Sequence, residues 1–415
     1  YEYDEIKGCH AFVRPDEVYI NNINQSVINF KYNFSESRNT VKLVWNKEKL
    51  VITCMFYRCS DIIEIDFSYF NSSLISGDLG GIFNNCTSLT SLDLSNISIS
   101  ITSLKYIFYN CQYLNYVNLS NFDTSNTINM QYMFYNCISL KSINLSSFKT
   151  PELLNANYMF YNCILLTSVD ISNFDLTKII NMPHMFSNCT SLKTVKFPNS
   201  KTPDLEYIGS LFKNCTSLVS VDLSNFDTSN VIHMDFMFYN CKSLTSINLS
   251  NFDTSTSTWL ESIFEGCSNL QYINLQNAKK TLSPYNYDNA FKDTPENLVI
   301  CINEDNVPEL TQLIKEKDST CYKIDCSNDW KSIQKKIKTG TKGCVDNCSN
   351  NTEHIYELNG ICNKTCQYGK FYDENDSTKK CKCEFDKCYS CPFSIEPAKN
   401  LCISCNESFY PKEDR

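Results

Sequence analysis

The chain has 415 residues, a formal net charge of −9 and 24 cysteines against only 10 glycines. That length exceeds one small core, and the acidic balance excludes a nucleic-acid coat. No stretch approaches the roughly 18 consecutive apolar residues of a membrane span, and the opening "YEYDEIKGC" has neither Met nor an apolar leader, as expected of a mature form after signal removal.

Residues 1–53 read as an N-terminal cap, with "VRPDEVYINN" and "NTVKLVWNKEKLVITC" as strands. Cys9 and Cys54 are the two cysteines outside any repeat there, so they form the natural disulfide pair.

Residues 54–278 are a repeat. Cys59, Cys86, Cys111, Cys137, Cys163, Cys189, Cys215, Cys241 and Cys267 follow one another at gaps of 27, 25 and then 26 residues. Phenylalanine stands three places before each, from Phe56 to Phe264, and Leu or Ile three places after each. At offsets of six and eight come further apolar residues, such as Ile143 and Leu145, alternating with polar ones as a strand requires. The motif F-x-x-C-x-x-L-x-x-L-x-L predicts an α/β-type solenoid, a leucine-rich-repeat stack of about nine coils with parallel strands and a turning or short helical return. At roughly 4.8 Å per stacked strand, nine coils would form a rod of roughly 40 Å. One coil cannot cover its own apolar side, so Phe, Cys and Leu should form buried ladders. A buried free-thiol ladder is the expectation for the cysteines. Bridges between adjacent coils are the competing reading, although parallel Cβ vectors disfavour them, and one thiol per coil gives no metal cage.

The segments "NMQYMFYNCISLKSINLSSF" and "HMDFMFYNCKSLTSINLSNFDTS" resemble the BspA-like leucine-rich repeats of bacterial, mycoplasmal and protist surface proteins. The resemblance covers about residues 54 to 278 and implies an adhesin or surface antigen.

The strand face is the candidate binding surface. At offset seven it presents Asp66, Asp93, Asn118, Asn144, Asp170, Lys196, Asp222 and Asn248, with Ser and Thr on either side. Such a uniform polar surface suits an extended partner rather than a deep ligand pocket. The alternative is a merely solvated face held by Asn and Ser hydrogen bonds. The sixth coil departs from the pattern: Lys196 replaces Asp or Asn, and "FPNS" replaces "LSNF". The "FDTSN" turn also becomes "FDLTK" at Phe174 and "FDTSTSTW" at Phe252. These breaks mark a bulge or a binding patch.

Residues 279–343 read as a C-terminal cap. "NAFKDTPENLVICI" is a decayed repeat with Phe291 in the phenylalanine place. "NVPELTQLIKEKDS" should be a short helix, and the lysines of "DWKSIQKKIKTGTKG" should lie on a solvated helix face. Cys301, Cys321 and Cys326 are odd in number, so one must stay free or pair elsewhere. Residues 344–415 carry ten cysteines and few apolar runs, so bridges should replace a core; zinc is the rival for "CKCEFDKCYSC". The spacings resemble furin-like or growth-factor-receptor cysteine-rich modules, which implies a stalk.

Fifteen Asn-x-Ser/Thr sequons and this cysteine-dense tail point to a secreted or surface-exposed glycoprotein. Besides Asn118, Asn144 and Asn248, the glycosylation candidates are Asn24, Asn33, Asn71, Asn85, Asn96, Asn188, Asn214, Asn347, Asn350, Asn363, Asn375 and Asn406. No catalytic motif, metal-ligand spacing or cofactor fingerprint is present. The expected function is non-catalytic adhesion or recognition at the cell surface. The partner would be a protein or glycan on another cell or matrix, with a membrane anchor beyond residue 415. A self-assembling coat or filament subunit, or a receptor ectodomain, is the alternative.

Overall fold

The computed structural model describes residues 15–26, 37–46, 52–75, 78–256, 259–279, 287–317, 321–338 and 344–345, and short strands between 356 and 405. The chain divides into two compact units, residues 1–269 with 281–293 and residues 270–280 with 294–415.

The first unit opens with β1 (Glu17–Ile20), β2 (Ile23–Asn24) and β3 (Val41–Val44), an antiparallel sheet in the order β2-β1-β3. The solenoid follows, one coil per cysteine, counted here as coils 1 to 9. Each strand is short because only the two apolar positions at offsets six and eight need to face inward. β4 (Glu64–Ile65), β5 (Ser91–Asp93) and β6 (Tyr116–Asn118) pair in parallel, as do β7 (Ser168–Asp170) and β8 (Thr194–Lys196). β9 (Ser246–Asn248) is the strand of coil 8. A second line of single parallel bridges runs through Asn129, Asn155, Asn181, Tyr207, His233 and Trp259.

The return arc, "MFYNC", is made of turns, not helix. In coil 4 the N–H groups of Tyr132, Phe134 and Asn136 donate to Asn157, Met159 and Tyr161 of the next coil, at 2.7–3.0 Å. The alternate N–H groups of Met133, Tyr135 and Cys137 turn back to carbonyls three residues earlier in the same coil. Every backbone donor of the arc is thereby satisfied without a helix, as burial demands. This conformation places two residues per arc at positive φ, one five places and one immediately before the cysteine. The latter is Asn in coils 2 to 8, the residue after Gly that best tolerates the left-handed region. Asn also forms a ladder of its own: Asn110 Nδ2 donates to Asn85 Oδ1 (2.7 Å), and Asn162 to Asn136 (2.6 Å).

Ten phenylalanines stack inside this unit, Phe56 through Phe264 and then Phe291, at centroid separations of 5.3–6.0 Å and within 14° of parallel. Phe291 thus holds the ring place that its sequence position suggests. The nine repeat cysteines are free, and all but Cys59 are buried. Each buried thiol donates to the carbonyl of the phenylalanine one coil earlier; Cys163 reaches Phe134 at 3.1 Å and Cys189 reaches Phe160 at 3.0 Å. That carbonyl also accepts the N–H of its own coil's cysteine, so both lone pairs are used. The small, weakly donating thiol fits an apolar slot that still contains one polar atom. A threonine ladder does similar work deeper along the coil. Thr150 Oγ1 donates to the Asp175 carbonyl (3.0 Å) and accepts the Asp175 N–H (3.0 Å).

Cys54 is disulfide-bonded; its expected partner Cys9 lies outside the described residues.

In the second unit β10 (Tyr272–Leu275), β11 (Val299–Ile302) and β12 (Lys323–Ile324) pair in parallel. The expected helix is α1 (Pro308–Lys317), with Pro in the first turn where its missing N–H is harmless. The lysine-rich segment departs from expectation. Only α2 (Trp330–Ile333) is helical; Lys336–Lys338 is strand β13, paired with β14 (Cys344–Val345) and with Ile361–Asn363. Cross-strand pairing, invisible in local charge pattern, decides that segment. Cys301 is bridged to Cys326 and Cys321 to Cys344. The odd cysteine of the three therefore pairs with the first of the tail. The side chains of the nine later cysteines lie outside the described set. Among the described residues, no helix is long and apolar enough to cross a membrane.

Candidate binding face

Strand pairing brings the offset-seven residues into line: Asp93 lies opposite Asn118, and Asp170 opposite Lys196. Asp66, Asp93, Asn144, Asp170, Lys196, Asp222 and Asn248 are exposed, while Asn118 is half-buried. All eight fall at the equivalent place in their coils.

Seven of the eight also have a local task. The Oδ1 atoms of Asp66, Asp93, Asn118, Asn144, Asp170, Asp222 and Asn248 accept the N–H two residues on, at 2.8–3.2 Å, and so form an Asx turn at the same place in each of their coils. The row is partly a scaffold. Serine hydroxyl and N–H donors hold the Asp66, Asp93 and Asp170 carboxyls below their ordinary range; for Asp222 the Ser224 N–H is the first cause.

The sixth coil shows why its departures travel together. Lys196 cannot accept a hydrogen bond, and two residues on Pro198 has no N–H to offer. Lys196 Nζ instead reaches Asp170 Oδ2 at 3.1 Å, an exposed ion pair of small energetic value. Phe197, moved three places earlier than in other coils, meets Phe226 edge-on at 5.0 Å. Ser200 takes the vacated place, and its Oγ accepts the N–H of Leu176, the residue that breaks the threonine ladder. What the sequence offers as a possible bulge is a compensated variant of the same coil. It leaves one cation in a row otherwise made of Asp and Asn.

The sequons sort by position. Asn118, Asn144 and Asn248 lie on the strand face. Asn24, Asn71 and Asn96 are exposed. Asn85, Asn188 and Asn214 belong to the asparagine ladder. Asn214 Nδ2 donates to Asn188 (2.8 Å) and Asn85 Nδ2 to Asn84 (2.6 Å), so the atom that would carry sugar is already bonded. Asn33, Asn347, Asn350, Asn375 and Asn406 lie outside the described residues, as does the side chain of Asn363.

The aromatic surface of the arc is absent from the sequence-level site. Tyr106, Tyr132 and Tyr158 stack in one row that continues into His184, and Tyr109, Tyr135 and Tyr161 in a second. The signal was available as a tyrosine five and two places before the cysteine in coils 3 to 5. Desolvation pushes His184 down to about 4, and nearby Lys213 adds to the effect, so the ring is neutral at pH 7. His233 stacks between Tyr207 and Trp259 in another row, so the two histidines do not meet.

Among the described residues, one set could supply a metal with ligands: Glu296, Cys321 and Cys344. The two sulfurs are joined to each other, so neither is a thiolate.

Residues 156–298 match the model of the BspA type leucine rich repeat region in six copies, and residues 77–197 match that of a Mycoplasma protein of unknown function, DUF285. A leucine-rich repeat protein of Bacteroides ovatus is similar in structure at a TM-score of 0.34 and 17% identity, covering 66% of this chain and 77% of its own. No curated protein matches. The solenoid, with its parallel strands and free-cysteine ladder, thus carries a BspA type leucine rich repeat region over residues 156–298.

Proposed function

We propose that this protein is a non-catalytic recognition protein of an extracellular cell surface, binding a protein or glycan of another cell or matrix through the strand face of its first unit. The observation that carries the reading is the row from Asp66 to Asn248, at one equivalent place per coil and exposed but for half-buried Asn118, with Lys196 as its one cation. Bridges at Cys301–Cys326 and Cys321–Cys344 support an oxidising compartment. N-linked glycans at the strand-face sequons Asn118, Asn144 and Asn248 would cover that face in coils 3, 4 and 8 and leave it bare in coils 5 to 7.

Binding of the natively glycosylated protein to cells or matrix tests this, against a variant carrying Asp170→Asn, Lys196→Ala and Asp222→Asn. Asparagine keeps the Asx turns, so the variant folds. Loss of binding supports the face, and undiminished binding removes it. Regular polymers formed by the protein alone would assign it instead to a self-assembling coat.

A further inference from the structure

The two tyrosine rows of coils 3 to 5 hold six phenols in unusual proximity. Tyr109, Tyr135 and Tyr161 stack at centroid separations of 4.7 and 4.8 Å, with planes 7° and 6° apart. Tyr106, Tyr132 and Tyr158 stack at 4.9 and 5.0 Å. Each is half-buried, so part of the ring stays within reach of solvent while packing fixes the rest. Consecutive members of a row belong to consecutive coils. Tyr69, Tyr113 and Tyr116 serve as a contrast, being 99%, 61% and 54% exposed.

We propose that these rows are sites of coil-to-coil dityrosine cross-linking, with Tyr109–Tyr135–Tyr161 as the principal row and hydrogen peroxide, acting through a haem peroxidase, as the oxidant. Two one-electron steps remove one electron and one proton from each of two neighbouring phenols. The resulting phenoxyl radicals couple through the ring carbons beside the oxygens, forming one C–C bond. The hydrogen on each coupled carbon then moves to the phenol oxygen and both rings become aromatic again. The two electrons and two protons convert one hydrogen peroxide into two waters. Stacking supplies the proximity that makes coupling effectively unimolecular. An isolated tyrosine such as Tyr69 must wait for a partner to diffuse in. The product would staple adjacent coils in a region where the cysteines form no bridge.

The test treats the full chain, at low concentration, with peroxidase and limiting hydrogen peroxide. Cleavage at Met130, Met133, Met159 and Met182, all fully buried and so protected from the oxidant, places Tyr109, Tyr135 and Tyr161 on separate fragments. The expected result is dityrosine fluorescence in the monomeric chain, with fragments joined through Tyr109–Tyr135 or Tyr135–Tyr161. Tyr135→Phe keeps the stacked ring and removes the phenol. Both joins should disappear in it while the Tyr132–Tyr158 join persists. Absence of joined fragments from the wild type, their persistence in Tyr135→Phe, or dityrosine confined to concentration-dependent dimers through Tyr69 or Tyr113 would each overturn the proposal.

Discussion

Cysteine does opposite work in the two units. In the first, eight buried thiols stay reduced and each caps a carbonyl of the preceding coil; in the second, Cys301, Cys326, Cys321 and Cys344 form two bridges. Repetition explains the difference. A solenoid coil repeats every position, so neighbouring cysteines sit in the same orientation, each aimed at a backbone oxygen rather than at another sulfur. Where the repeat decays, cysteines at unlike positions face one another. The repeat coils of the first unit are therefore held by continuous packing, its bridged Cys54 standing outside the thiol ladder, and the second unit by packing plus covalent closure.

Alkaline pH should separate the units most strongly. Burial raises every ladder thiol; Cys86, Cys189 and Cys267 are pushed up to about 12, and Cys111, Cys163, Cys215 and Cys241 well above the ordinary range. A raised folded pKa gives stability that is present below the unfolded thiol pKa and lost as pH rises through the folded one. Each thiol that ionises only when unfolded removes about 1.4 kcal/mol per pH unit above roughly pH 9. Eight acting together make the loss steep, on the order of 10 kcal/mol per pH unit at most. Chemical denaturation from pH 8 to 11 should show the first unit failing early, and replacing Cys137 and Cys163 with Ala should flatten the slope. A flat profile would mean that the thiols are not buried together.

Phe160→Ala should cost about 3 to 5 kcal/mol, because it leaves a cavity in a ladder with no bridge to limit the damage. Denaturant melts of the variant check this, and a change under about 1 kcal/mol would contradict a continuous stack. Opening Cys301–Cys326 by replacing both residues with Ser should cost the second unit about 2 to 4 kcal/mol, given a closed loop with a sequence separation of 25. The same two substitutions should leave the melting of the first unit unchanged.

The repeat was legible in the sequence because the ladder residues obey one strict period. The phenylalanine stack, the free thiols and the parallel strands all follow from it, while α1 was read separately from the segment that Pro308 opens. The arc conformation was not legible, since its left-handed residues at five places before the cysteine are, apart from Gly81 and His184, Cys, Tyr, Ser and Phe, which carry no such preference. Lys336–Lys338 was misread because strand pairing is non-local. The face residues were found by position, but their Asx turns depend on a backbone geometry that spacing alone does not reveal.

The smallest expected effect lies on that face. Asp222 is held below the ordinary carboxylate range, first by the Ser224 N–H. A depressed carboxyl gives stability that is present above the unfolded pKa and lost as pH falls through the folded one. Asp222→Asn should match the wild type at pH 7, because Asn keeps the acceptor, as at Asn144 and Asn248, and should lose slightly less stability on acidification below pH 4. Parallel acid melts of the two proteins measure it.

Differential alkylation followed by peptide mapping tests the contrast between the units most directly. In the native protein Cys111, Cys137, Cys163, Cys189, Cys215, Cys241 and Cys267 should resist a thiol reagent. All seven should label on unfolding without reductant, while Cys301, Cys321, Cys326 and Cys344 should label only after reduction. Recovery of a disulfide-linked Cys137–Cys163 peptide from the native protein would contradict the account.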